Sequence, residues 1–124
     1  MSERILIIED EPMLADALKE FLSGRGYDVH CAAEREQAEA LLGHYVYALV
    51  ITDLALSPVG LSGVDVLDYI ADRATRPKVI VYSGHVDEEV TIQLEPRRVD
   101  VFLQKPQPLE EIARVAASLL GHPA

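Results

Sequence analysis

Three consecutive carboxylates, Glu9-Asp10-Glu11, follow directly on the apolar run Ile5-Leu6-Ile7-Ile8. Asp53 lies just beyond a second such run, Ala48-Leu49-Val50-Ile51; Ser83 follows Val79-Ile80-Val81-Tyr82, and Lys105 lies just beyond Val101-Phe102-Leu103. A charged group attached to an apolar run is costly to bury unless it is paired. If the four runs lie side by side and parallel, their trailing groups converge on one edge. Clustered carboxylates repel one another, and a divalent cation relieves that repulsion. A small pocket of oxygen ligands suits Mg²⁺, which keeps several waters and works with phosphate. Lys105 adds a point positive charge and Ser83 a hydroxyl donor. Together these groups describe a site for a phosphoryl group beside a metal, with Asp53 as the candidate nucleophile.

Each residue also has a plainer role when taken singly. Asp53 could cap the loop that follows it, and the acidic triplet could favour the amino end of a first helix through its dipole. Lys105 could be a solvated strand-end lysine, although a cis peptide at Pro106 would fix its direction. Ser83 could end its strand for turn reasons alone, and Phe102 could simply be core. His30, His44, His85 and His122 have no metal-ligand spacing and read as surface or boundary residues. Cys31, the single cysteine, reads as a small buried side chain.

The elements that must position these groups are legible in the apolar pattern. The four runs are continuous rather than alternating, as expected of strands covered on both faces of a parallel sheet. A weaker fifth strand, Tyr27 to Cys31, has the mixed polarity of an edge. Between the strands lie helical stripes: Leu14, Leu18, Phe21 and Leu22 after Pro12, closing at Gly24 or Gly26; Ala38, Leu41 and Leu42; Val64, Leu67 and Ile70; and Leu109, Ile112, Ala116, Leu119 and Leu120 after Pro108. A weaker helical pattern spans Val86 to Leu94, with Pro96 as its expected stop. Five βα units in strict alternation predict a doubly wound α/β fold, an open five-stranded parallel sheet with helices on both faces.

Size and charge narrow the class. A chain of 124 residues suits one compact domain, 1–124, with a core from about residue 3 to 120. Eleven basic against 21 acidic residues give a net charge of −10, which repels phosphate backbones, so direct nucleic-acid binding is not expected. No apolar stretch reaches the ~20 residues of a membrane helix. The first ten residues lack the pattern of an export signal, and one cysteine excludes an internal disulfide; a cytoplasmic location is therefore expected.

In this order, the motifs "IIEDE", "LVITD", "VIVYSG" and "VFLQKP" resemble the receiver domain of two-component response regulators over essentially the whole length. The resemblance implies a flavodoxin-like fold with strand order 2-1-3-4-5. It implies that Asp53 accepts a phosphoryl group from a phosphohistidine on a sensor histidine kinase or a histidine phosphotransfer protein. Asp10, Asp53 and the backbone carbonyl of Ala55 would bind Mg²⁺, with Glu9 contributing directly or through water. Ser83 would bind a phosphoryl oxygen, Lys105 would pair with the phosphate, and Ser83 with Phe102 would act as the switch. The domain would catalyse its own phosphorylation and dephosphorylation, then present a changed surface to a downstream protein target, with no output domain on the chain.

Certain features depart from the family pattern. Glu9 stands where aspartate is commoner, and the loop "DLALSPVGLSG" from Asp53 to Gly63 is about two residues longer than usual for the family. Pro96, Arg97 and Arg98 replace a small-residue, glycine-containing turn, and Ala55 and His85 flank the site. Three other functions compete. A degenerate receiver acting as a phosphorylation-independent adaptor would not need the complete set of Glu9, Asp10, Asp53 and Lys105. A small aspartyl-phosphate phosphatase would usually carry a second aspartate at the position of Ala55. A nucleotide-binding fold lacks a glycine-rich loop after any strand.

Overall fold

A computed structural model of the protein describes residues 2–54, 62–73, 75–84, 88–94 and 97–122. Ten elements alternate along the chain: β1 (Arg4–Ile8), α1 (Pro12–Ser23), β2 (Asp28–Ala32), α2 (Arg35–His44), β3 (Leu49–Thr52), α3 (Ser62–Ala71), β4 (Lys78–Ser83), α4 (Glu88–Leu94), β5 (Val101–Gln104) and α5 (Leu109–Leu119). The strands form one sheet in the order β2-β1-β3-β4-β5, and every pairing is parallel. This is the doubly wound, flavodoxin-like arrangement expected from the sequence.

The continuous apolar runs follow from having a core on each side of the sheet. Successive side chains of a strand point to opposite faces. Ile5, Ile7, Leu49, Ile51, Ile80 and Tyr82 therefore pack with Leu18 and Leu22 of α1 and Ile112 and Ala116 of α5. Leu6, Ile8, Val50, Val79 and Val81 pack on the other face with Leu42 of α2, Val66, Leu67 and Ile70 of α3 and Leu94 of α4. The four β1 residues Ile5–Ile8 are at most 1% exposed. Burying each is worth about 1.5–3 kcal/mol. A polar substitution anywhere in β1 would therefore unseat one core or the other.

Local chemistry sets the boundaries. Pro12 occupies the first turn of α1, where its missing N–H costs nothing. Gly24 closes that helix by donating to the Glu20 carbonyl at 3.0 Å, and Gly26 then takes φ +96°, which favours glycine. β2 begins one residue later than the sequence predicts. The Tyr27 N–H still points back to the Leu22 carbonyl of α1, and Asp28 is the first residue to donate across the sheet, to Glu3 at 3.0 Å. The strand is an edge, as its mixed polarity suggested. The α3 stripe buries Val66 together with Leu67 and Ile70, while Val64 is only half-buried. Val86 and Pro96, the expected limits around α4, lie outside the described residues. Cys31 is half-buried with its Sγ 3.9 Å from the Ala15 carbonyl, and burial pushes its thiol pKa up. Among the described residues, no helix is long and apolar enough to cross a membrane.

Candidate phosphoacceptor site

In parallel sheets, ligands gather beyond the carboxyl ends of the strands, where the strand order reverses. Here β1 and β3 are neighbours in space although β2 follows β1 in sequence, so their carboxyl ends flank that reversal. Glu9 is the first residue after β1, Asp53 the first after β3 and Lys105 the first after β5, while Ser83 ends β4. Sheet hydrogen bonding runs one residue past the strands at each of these points. Glu9 N–H donates to Ala32 at 2.9 Å, Asp53 N–H to Ile8 at 3.1 Å and Lys105 N–H to Ser83 at 2.9 Å. The functional side chains are thus held by rigid backbone rather than by free loops.

The side chains converge on one ammonium. Lys105 Nζ donates to Glu9 Oε1 at 2.6 Å and to Asp53 Oδ2 at 2.7 Å. The carboxylates of Glu9 and Asp53 are 4% and 9% exposed, so these are desolvated, charge-assisted contacts. Burial pushes the Glu9 pKa up. The Lys105 ammonium and the Glu11 N–H, 3.2 Å from Glu9 Oε2, oppose that shift, and the Asp53 charge adds to it. Burial opposes protonation of Lys105, but its hydrogen bonds to Asp53 and Glu9 outweigh burial and hold its pKa above the usual lysine value. The ammonium is the favoured form, clamped between two acids.

Carboxylate oxygens of Glu9, Asp10 and Asp53 all lie within 4.8 Å of one another. That is close to the span of about 4 Å across an octahedral Mg²⁺ site. Three carboxylates and one ammonium leave a formal charge of −2, and the donors are all hard oxygens, so the set fits a small dication. Asp10 is exposed while Glu9 and Asp53 are buried, which opens the cluster to solvent on one side. Ala55 and His85 lie outside the described residues. Ser83 is fully buried at the end of β4. Phe102 is half-buried and pairs in register with Val81, on the face covered by α2 and α3.

Two supporting residues were not singled out from the sequence. Thr52 is fully buried, and its Oγ1 donates to the Asp53 carbonyl at 2.9 Å, bracing the backbone of the acid. The Tyr82 ring lies 5.5 Å from Lys105 Nζ, within cation–π range, and its hydroxyl accepts the Gln107 N–H at 2.9 Å. That contact ties β4 to the segment after Lys105. Their only sequence signal is position: each directly precedes a site residue, in "TD" and "YS". Among the described residues, no histidine joins an acidic group as a metal cluster.

The family model of the response regulator receiver domain matches residues 5–117. The chain belongs to this family. The receiver is 32% identical over 117 residues to the transcriptional regulatory protein AruR of Pseudomonas aeruginosa, covering 92% of this chain and 48% of that protein. It is 34% identical over 116 residues to the transcriptional regulatory protein KdpE of Mycobacterium tuberculosis, covering 93% and 50% respectively. The receiver thus spans about half the length of the curated relatives it matches. Among solved structures, the response regulator TrrA of Thermotoga maritima in complex with Mg²⁺–BeF superposes with a TM-score of 0.80 at 26% identity, covering 94% of this chain and 98% of that one. This is a receiver domain of two-component response regulators, and neither the adaptor nor the phosphatase reading is favoured.

Proposed function

We propose that Asp53 is the phosphoacceptor, taking a phosphoryl group from a phosphohistidine of a sensor histidine kinase or histidine phosphotransfer protein in a Mg²⁺-dependent reaction. The observation that carries this reading is the clamp of Lys105 on Asp53 and Glu9, beside the acidic triplet and at the sheet's topological switch. Glu9, Asp10 and Asp53 would hold the ion, with the Ala55 carbonyl completing the protein ligands. When bound, the ion neutralises charge on the transferring phosphoryl oxygens.

The chain's own groups do the rest. A carboxylate oxygen of Asp53 forms the new O–P bond as the donor's N–P bond breaks, and that electron pair returns to the imidazole nitrogen. Lys105 is already at the acceptor carboxylate and needs little movement to pair with the arriving phosphoryl group. Thr52 keeps the Asp53 backbone from shifting during attack. In the later hydrolysis, water attacks phosphorus, the O–P bond breaks, and Asp53 regains its carboxylate while inorganic phosphate leaves.

Phosphorylation adds about −1 to −2 of charge near pH 7. Ser83 would be drawn toward it as hydrogen-bond donor, and Phe102, neighbouring it through β4 and β5, would repack in response. The changed surface around α4, β5 and α5 would then meet a downstream protein target. A net charge of −10 makes the receiver itself an unsuitable nucleic-acid contact, so we assign its output to protein contact. We read residues 1–124 as one receiver unit. Incubation with a small acyl phosphate donor and Mg²⁺ tests the reading. Wild type should become labelled and Asp53→Asn should not; equal labelling of both would refute it.

A further inference from the structure

The opposite rim of the sheet has an unusual charge. Arg76, Lys78, Arg97 and Arg98 line a cavity of about 250 Å³ at the amino ends of β4 and β5, with Ile70, Pro77, Val79 and Asp100. The chain has only eleven basic residues against 21 acidic ones, yet four of the eleven share this cavity. Arg97 is positioned by Asp68, its Nε 2.7 Å from Oδ1. The Asp100 carboxylate is engaged with the Val79 N–H at 2.7 Å. Among the described residues, Arg76, Lys78 and Arg98 enter no ion pair.

In an acidic protein, three cations that meet no carboxylate partner among the described residues are electrostatically unfavourable unless an anion is available to them. The usual role of such side chains is solvation at a strand end, and it requires no concavity. Here the lining is concave and carries three positive charges in excess, two once Asp68 is counted. Arg98 also holds φ +55°, a conformation costly for a side chain with a Cβ, which directs the chain at the cavity's edge. Guanidinium groups match phosphate oxygens in forked geometry, and three of the four cations are arginines.

We propose that this cavity binds a small phosphate-bearing anion of about pyrophosphate size. Its volume is below the 300–1,000 Å³ typical of whole drug-sized ligands, so a phosphate pair fits where a complete nucleotide does not. The net charge of −10 disfavours a nucleic-acid backbone, which would meet the acidic remainder of the surface, but leaves a compact anion unaffected beyond the Debye length. Lys78 and Ser83 are five residues apart along β4, which at about 3.3 Å per residue puts the cavity roughly 16 Å from the phosphoacceptor rim. The two sites are separate.

Titration of isotope-labelled protein with inorganic pyrophosphate tests the assignment, at about 0.1 M ionic strength, where the Debye length is about 10 Å, and without divalent cations, so that the acidic rim cannot capture the probe through a metal. Saturable amide shifts should centre on Val79, Arg98 and Asp100, with orthophosphate several-fold weaker. The double variant Arg76→Ala/Arg98→Gly should keep a dispersed, folded spectrum and bind at least ten-fold more weakly. Arg114→Ala, which removes a cation on α5, should leave affinity unchanged. Asp53→Asn should do the same, so failure here is distinguishable from failure of the phosphoacceptor assignment. Shifts that do not saturate, that centre elsewhere, or that persist at equal affinity in the double variant would mean an adventitious ion only and would overturn the proposal.

Discussion

Lys105 Nζ lies 2.6 Å from Glu9 Oε1 and 2.7 Å from Asp53 Oδ2, joining residues 96 and 52 positions apart in the chain. The ammonium compensates two buried acids at once, and that double role makes it structurally as well as chemically important. Removing one partner of a buried charge cluster usually costs more than the intact pair contributes.

Lys105→Met should therefore lower stability at neutral pH by about 2 kcal/mol or more when no divalent cation is present. Mg²⁺ binding to the same oxygens supplies the missing positive charge and stabilises the native state by mass action. Urea unfolding with and without Mg²⁺ should show a larger Mg²⁺ stabilisation in the variant than in wild type. An equal increment in both proteins would show that the ammonium and the ion do not share those carboxylates.

A pH effect follows at the other end of the sheet. The Tyr47 hydroxyl is buried, 2.7 Å from His30 Nδ1, and burial pushes its pKa from 10.0 up to about 12, with Tyr45 and Asp28 adding to the shift and Arg4 opposing it. The neutral form is favoured in the folded state, so the unfolded chain ionises first. The resulting stability is complete below pH 10 and is lost as pH rises from 10 to about 12. Tyr47→Phe has no proton to lose there. Urea midpoints measured from pH 9 to 12 should fall more steeply for wild type than for the variant; parallel curves would refute the linkage.

Arg98 stands where the family typically places a glycine-containing turn, and φ +55° is the physical reason that glycine suits it. A residue with a Cβ in this region costs about 1–2 kcal/mol, against which glycine's greater freedom in the unfolded chain weighs about 0.5–1 kcal/mol. Arg98→Gly should gain about 0.5–1 kcal/mol, read as a rise of roughly 2–4 °C in Tm. A fall in Tm would mean that Arg98 makes compensating contacts.

β1, β3 and β4 were legible because a sheet covered on both faces demands unbroken apolar runs, whereas the apolar run of β5 forms the other edge, with Val101, Phe102 and Leu103 only half-buried. The site residues were legible because they cluster at the carboxyl ends of these strands. β2 was displaced by one residue because Tyr27 bonds backward into the α1 turn, a tertiary choice that local pattern does not encode. The grip of Lys105 on Glu9 was also hidden. Sequence spacing brings both residues to the same rim, but only side-chain length and burial decide that glutamate reaches the ammonium. Thr52 and Tyr82 were read as strand residues, since their role depends on which neighbouring groups their hydroxyls meet. The Arg4–Asp28, His30, Tyr45 and Tyr47 cluster joins β1, β2 and the α2–β3 connection and has no local signature at all.

The most direct test is chemical localisation of the phosphoryl group. Protein incubated with an acyl phosphate donor and Mg²⁺ is reduced with borohydride, which converts an aspartyl phosphate to homoserine, and the peptides are sequenced by mass spectrometry. The account predicts homoserine at position 53 alone, absent when Mg²⁺ is omitted. Homoserine at another aspartate, with Asp53 unmodified, would contradict it.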